Sequence, residues 1–278
     1  MNQRPAPGDL VLDHVAHWVP DAPTAATALA ALGFTVTPFS AQNTGDPPVP
    51  AGTGNHCVML EKGYLEFLAP TADTPNAASL RAGIARYVGV HLIAFGTATP
   101  ADDHARLAAR GFVPLEPVAL SRLIGTQDGE RRARFTVVRT AAGTMAEGRV
   151  QFVEQITPEH LWQKRWLAHA NGATSLRRVE LCVADPAEAV ARFARYTGLV
   201  PGSREGAHAL ATARGELVFR DPAATRAHLG IEPPCLPWIA GYVLGCADLA
   251  KVPKGREVAT GRVVALAGSL GGAMVFET

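Results

Sequence analysis

Four side chains in the first 155 residues have types and spacings that could do chemistry together: His14, Glu66, His91 and Gln151. Repetition places them. Asp13-His14-Val15-Ala16-His17-Trp18-Val19-Pro20-Asp21 lies without a gap over Arg177-Arg178-Val179-Glu180-Leu181-Cys182-Val183-Ala184-Asp185, and a middle copy begins at Val90-His91-Leu92. From His14 to Gly33 is 19 positions, from His91 to Gly111 is 20, and from Arg178 to Gly198 is 20. The copies also end alike. Gly63-Tyr64-Leu65-Glu66-Phe67-Leu68 matches Gly148-Arg149-Val150-Gln151-Phe152-Val153, then Gly215-Glu216-Leu217-Val218-Phe219-Arg220, and more loosely Gly272-Ala273-Met274-Val275-Phe276-Glu277. This aligns His91 with His14 and Gln151 with Glu66. Alternate strand residues share a face, so two units paired symmetrically would bring all four together. Two imidazoles, a carboxylate and an amide suit a divalent metal: Zn²⁺, Ni²⁺, Fe²⁺, Mn²⁺ or Co²⁺. Glu66, the only carboxylate of the four, is then the candidate catalytic proton carrier.

The elements that must position these residues follow from the same repeat. Each unit reads strand, helix, helix-ending Gly, then strands divided by Gly- and Pro-rich turns, a β-α-β-β-β module. The modules fall at about 9–70, 88–155, 174–221 and 238–278. The fourth has a broken helix segment, interrupted by Pro253 and Gly255. The expected fold is α+β: tandem modules forming two curved mixed-sheet barrels, residues 1–155 and 174–278, joined by a linker helix over 156–173. Trp162 and Trp166 would dock that helix as an i, i+4 pair. The stretch Ser40 to Gly54, with Gly45, Pro47, Pro48, Pro50 and Gly52, reads as an unstructured flap over the first module. Asn55 and His56 follow it and are candidate substrate contacts. Arg122 and Arg134 are candidate partners for a substrate carboxylate. His17 reads as a packing residue and His169 as a linker hydrogen bond.

Composition narrows the class. The 278-residue chain has 26 basic and 25 acidic residues, which gives no electrostatic case for nucleic acid or an anionic membrane. No apolar run of about 18 residues exists to span a bilayer. Residues 1–8 lack the apolar core of a secretory signal and read as a frayed tail. Cys57, Cys182, Cys235 and Cys246 form no Cys-x-x-Cys pair and read as reduced thiols of a cytoplasmic protein. The partner implied is a small-molecule substrate, and the second half offers surface for a homodimer.

Leu12-Asp13-His14-Val15, Gly52-Thr53-Gly54-Asn55-His56, Gly63-Tyr64-Leu65-Glu66-Phe67-Leu68 and Val90-His91-Leu92 together resemble the vicinal oxygen chelate superfamily. That superfamily holds glyoxalase I, extradiol dioxygenases and bleomycin-resistance proteins. The chain most resembles its glyoxalase-like domain group, specifically over about residues 11–155. The resemblance implies a metal held by His14, Glu66 and His91, with Gln151 standing where a second Glu is expected. In the second half the matching positions are Arg178 and Val218, then Gly241 and Val275, none of which can ligate a cation. Three activities follow: a metal-dependent lyase or isomerase on vicinal oxygens, an extradiol-type dioxygenase, or a metal-free protein that binds and sequesters a small molecule.

Overall fold

Each unit opens on an apolar strand that runs into a helix, and an aspartate makes that junction in the first. Strand β1 (Val11–Trp18) stops at Pro20, and Asp21 caps helix α1 (Ala22–Ala31) by accepting the Thr24 amide at 2.8 Å. The computed structural model describes residues 3–45 and 47–278; Met1, Asn2 and Asp46 lie outside the described residues. The first unit continues through β2 (Ser40–Thr44), β3 (Val49–Met59) and β4 (Tyr64–Pro70). Helix α2 (Pro75–Arg86) leads to β5 (Gly89–Gly96), α3 (Pro100–Ala109), β6 (Val118–Thr126), β7 (Gly129–Arg139) and β8 (Arg149–Gln155). After the short α4 (Pro158–Leu161) come β9 (Ala173–Cys182), α5 (Pro186–Thr197), β10 (Pro201–Arg204), β11 (Ala207–Ala211) and β12 (Glu216–Arg220). Helix α6 (Pro222–Leu229) precedes β13 (Trp238–Cys246), β14 (Arg256–Val258), β15 (Gly261–Ala265) and β16 (Ala273–Glu277).

In all four units the first strand pairs in parallel with the last: β1 with β4, β5 with β8, β9 with β12, β13 with β16. Parallel neighbours need a crossover connection, which the helix and the intervening strands supply. The strand-opening glycines make the parallel approach close. Gly148 has φ +158°, and a Cβ there would sit 2.5 Å from the His91 carbonyl oxygen. Antiparallel pairing of β1 with β5 and of β2 with β6 closes eight strands, in the order β1-β4-β3-β2-β6-β7-β8-β5, into a barrel. The C-terminal strands repeat this order around the β9–β13 pair. Their ends β10 and β14 do not pair among the described residues, so that half is an open, curved sheet.

Four local expectations are corrected. The Ser40 to Gly54 stretch is no flap: apart from its turn it is the β2–β3 hairpin, and Asp46 falls outside the described residues. The linker is not one helix carrying both tryptophans. It ends at Leu161, and a 3₁₀ turn over Lys164–Trp166 follows, because Trp162 swings inward to donate its Nε1–H to the Leu60 carbonyl at 3.0 Å. The described part of the N-terminal tail is anchored, with Gln3 buried and donating to the Glu61 carbonyl at 2.7 Å. The connecting helices α2 and α6 lie outside the repeat and were not expected. No helix among the described residues is long and apolar enough to cross a membrane.

One apolar core runs between the halves. The outward faces of β1 and β5 (Val15, Ile93) meet those of β9 and β13 (Val179, Tyr242) in a single buried cluster. His17 sits in that seam. Its Nδ1 lies 2.8 Å from the Leu270 carbonyl, its Nε2 lies 3.1 Å from the Tyr242 hydroxyl, and its ring stacks on Phe67. Burial lowers its pKa to about 4, so the neutral imidazole is the one that fits. The unfolded chain takes up that proton near pH 6.5, whereas the folded chain resists it until about pH 4. The His17 contribution is therefore whole above pH ~6.5 and lost as pH falls through about 4, to a limit of roughly 3 kcal/mol. Urea titrations at about pH 7.5 and about pH 4.5 should show the wild type losing about 2 kcal/mol more than His17→Phe over that interval. Equal losses would mean that His17 is not held neutral.

Candidate functional site

The parallel ladders fix which residues of the first two units correspond. Ala16 is opposite Glu66, and Ala94 is opposite Gln151, so Glu66 and Gln151 are true equivalents. His14 lies two residues before Ala16, and the residue two before Ala94 is Leu92. His91 is therefore one position out of step. The register of β1 against β5 slips there, from Ala16↔Leu92 directly to His17↔Val90, which leaves His91 unpaired at an irregularity. Instead of joining His14, the His91 ring is sandwiched between Trp18 at 4.8 Å and Tyr87 at 3.9 Å. Its Nε2 lies 2.7 Å from the Tyr87 carbonyl, and burial lowers its pKa to about 4. The spacings do not reveal this slip, since Arg178 also stands 20 positions from its glycine yet keeps the His14 register.

Glu66 and His14 do share a chamber inside the barrel, with Tyr64, Gln42, Arg122 and Gln151. The Glu66 Oε1 accepts from Gln42 Nε2 at 2.9 Å and from Asn55 Nδ2. Arg122 donates to Asn55 Oδ1 and to the Cys57 sulfur, so an arginine–asparagine–glutamate chain crosses the barrel interior. Burial alone would lower the Arg122 pKa, but Cys57, Tyr64 and Glu66 beside it more than offset this and hold it above its usual value. His14 Nδ1 stands 2.6 Å from Asp13 Oδ1, the geometry of an Nδ1–H donating to the carboxylate, and its Nε2 points toward Glu66 Oε2 at 3.9 Å. Asp13 also accepts from Gln155 Nε2 at 3.0 Å. Of the expected substrate contacts, the structure brings Asn55 and Arg122 to Glu66 and leaves His56 and Arg134 away from it. Strand alternation turns His56 outward, where its ring bonds the Thr37 carbonyl at 2.8 Å, and Arg134 is exposed.

The fit of a divalent metal can be tested on these donors. His14 has the carboxylate-oriented imidazole typical of a ligand. The set stops at Glu66, because the symmetric position is the apolar Leu92 and His91 bonds elsewhere. No group of three or more His, Cys, Asp or Glu among the described residues could hold a metal ion. Glu66 already answers two amides, and the Arg122 cation lines the same chamber and would repel a second cation. The expected four-donor shell does not fit.

Beside this chamber opens a cleft of about 710 Å³, to which Glu66 and Gln151 also contribute. Its walls include Trp18, Gln42, Arg139 and Arg149, which motif reading passed over. Period two would have found the arginines: Arg149 shares a strand face with Gln151, and Arg139 is the cross-strand partner of Gln151.

In the second half the corresponding place is filled by protein. Arg178, at the His14 position, is buried and donates to Glu180 and to Glu277, each at 2.7 Å, and Arg220 reaches Glu180 from the side. At Gly241, a Cβ would come within 2.0 Å of the Ala273 carbonyl oxygen.

The register argument makes an engineering prediction. Leu92→His combined with Gln151→Glu should create a cobalt site that the wild type lacks, read as visible d–d absorption on titrating Co²⁺. His91→Ala should leave Co²⁺ binding unchanged in both backgrounds. Loss of the engineered site on His91→Ala would restore the original alignment.

Comparison with known proteins agrees with this architecture. The chain superposes on a hypothetical protein from Staphylococcus aureus with TM-score 0.69 at 10% identity, covering 96% of this chain and 99% of that one. A mutant 4-hydroxymandelate synthase from Streptomyces coelicolor matches with TM-score 0.55 at 11% identity, over 97% and 93% of the two chains. A xylose isomerase-like TIM barrel/4-hydroxyphenylpyruvate dioxygenase fusion protein matches at 0.53 and 14% identity; it covers 90% of this chain, which spans 39% of the fusion. At these identities the likeness is one of fold. No curated protein matches. Residues 12–197 match the family described as "Glyoxalase-like domain", which spans both units of the closed barrel and the opening of the third, and the chain belongs to that family.

Proposed function

We propose that the closed barrel is a metal-independent site for a small organic molecule, in the manner of the binding and sequestration members of the superfamily. The observation that carries this reading is the state of Glu66. Its carboxylate is held by Gln42 and Asn55 and balanced by Arg122, so it serves the protein rather than a metal. Lyase, isomerase and dioxygenase chemistry on vicinal oxygens calls for a metal with open positions, and the donors present do not support one. The cleft has a volume within the usual range for small ligands, roughly 300–1,000 Å³. Its walls are largely apolar, with Leu68, Leu92, Leu115 and Leu120 among them. Polar side chains including Gln42, Arg139, Arg149 and Gln151 also line it, which suits an organic body with a polar head.

One observation favours a second reading, proton transfer within the bound molecule. Asp13 orients His14 so that the Nε2 lone pair faces the chamber, the arrangement of an imidazole base held by a carboxylate. In that case His14 accepts the proton and Glu66 stays a charged hydrogen-bond acceptor.

Elemental analysis of purified protein tests the first reading. Metal content should fall far below one ion per chain, and a chelator should leave the thermal midpoint unchanged. Glu66→Gln should destabilise by about 1–3 kcal/mol, since Arg122 loses its counter-charge, with no change in metal content. Near-stoichiometric metal that disappears in Glu66→Gln would overturn the proposal.

A further inference from the structure

Arg122, Arg178 and Arg220, inside this protein, follow a rule to which two other arginines are exceptions. Arg122 meets an asparagine oxygen, Arg178 meets two buried carboxylates, and Arg220 meets Glu180. Arg139 and Arg149 meet none. Among the described residues neither guanidinium has a hydrogen bond or ion pair, and the Arg139 Nε is buried without an acceptor. They stand on neighbouring strands, flanking Gln151, and both face the cleft. The Arg149 guanidinium lies 5.4 Å over the Trp18 ring, and the indole N–H of Trp18 is itself buried without an acceptor. Two buried donors without an acceptor, the Arg139 Nε–H and the Trp18 indole N–H, therefore border one cleft beside the half-buried Arg149 guanidinium.

Leaving buried donors and charges unmatched is costly, and a folded protein ordinarily does so only where something else supplies the acceptor. Burial lowers the Arg139 pKa; burial, and then the neighbouring Arg139 charge, lower that of Arg149 to about 10. Both remain cationic near neutrality, and each raises the cost of the other. The one acidic side chain lining the cleft is Glu66, already balanced by Arg122. An incoming anion would thus gain charge-assisted hydrogen bonds without displacing any protein partner.

We infer that Arg139 and Arg149, with the Trp18 N–H, receive the oxyanion of an organic ligand, a carboxylate or a phosphate monoester, whose apolar body lies along the leucine wall. This rests on the small-molecule reading above and names its ligand class. Planar oxyanions match the guanidinium fork, which an amide or alcohol cannot do with charge. Glu66, the one carboxylate lining the cleft, repels a second anion, so the rest of the ligand should carry neutral hydrogen-bond donors such as a hydroxyl. Ligands with one anionic end are selected over dianions with a charge at each end.

The test uses the full chain, treated with chelator, and matched probes: phenylacetate, phenyl phosphate and the neutral phenylacetamide. Calorimetry and thermal shift should show at least one oxyanion probe raising the melting temperature and binding at least about tenfold more tightly than the amide. A stronger response to phenylacetate assigns the site to carboxylates, and one to phenyl phosphate assigns it to phosphate esters. Arg139→Met and Arg149→Met should each weaken the responding probe by about tenfold. Their unliganded melting temperatures should not fall, because each change removes an unmatched charge. Equal binding of the amide, no response to either oxyanion, or variants that melt lower yet bind unchanged would each overturn the inference. Stoichiometric metal in the untreated protein would instead defeat the metal-independent reading and leave the oxyanion comparison standing.

Discussion

The antiparallel seam between β1 and β5 is the constraint on which the site depends. It joins two modules whose first strands each pair in parallel with their own last strand, and so brings β4 and β8 to flank one interior. With the β2–β6 pairing the sheet closes, and the inward positions of eight strands face a common space. The equivalent β9–β13 seam exists in the second half, but β10 and β14 remain apart among the described residues. An open sheet can cover one face with its neighbour and fill its concave face with long paired side chains, as Arg178, Glu180 and Glu277 do. A closed barrel cannot be filled so simply. Its interior must hold either protein side chains or a guest.

Much of this was legible in the residues because the repeat constrains each module several times over. Strand, helix-ending glycine and strand-opening glycine recur at nearly constant spacing, and each has its own physical reason. Asp21 and Asp185 both cap helices in the structure, and Gly33, Gly111 and Gly198 all adopt positive φ. Module order, the parallel first-to-last pairing and the equivalence of Glu66 with Gln151 follow from such multiply determined positions. The alignment of His91 with His14 rested on residue type and a spacing that tolerates one position either way. A single irregular position in β5 undid it, since a shift of one residue in a strand exchanges the faces. The hairpin at Ser40 and the break before Trp162 were hidden for a different reason. Both are decided by pairing with distant chain, β6 in one case and the Leu60 carbonyl in the other.

Charge compensation separates the roles of the interior arginines better than sequence motifs do. Arg178 and Arg122 stand where long side chains bridge strands, and each finds oxygen atoms fixed by the fold. Removing either would leave buried partners unanswered, a cost of about 3–5 kcal/mol in comparable buried pairs. Such residues are bound by stability whatever the protein does. Among the described residues Arg139 and Arg149 make no hydrogen bond or ion pair, and the Trp18 ring under Arg149 is the nearest answer to either charge. An isosteric apolar residue would fit the fold better at both positions.

That asymmetry also bears on why the site departs from a metal centre. A cation shell needs converging anionic or neutral donors and an absence of competing positive charge. Here the symmetric ligand position is Leu92, and the single acid is tied to Asn55 and Gln42. Four arginines, Arg86, Arg122, Arg139 and Arg149, border the two spaces. Each departure alone could be tolerated by a metal site, since a missing ligand is replaceable by water and a hydrogen-bonded carboxylate still coordinates. Together they leave more basic than acidic side chains lining the two spaces. The module scaffold is indifferent to that sign, because the ladders, caps and glycines that build it do not involve these side chains. The same closed barrel can therefore present a cation site or an anion site according to a few inward residues on β4, β5, β7 and β8, which in this chain include Glu66, Leu92, Arg139 and Arg149.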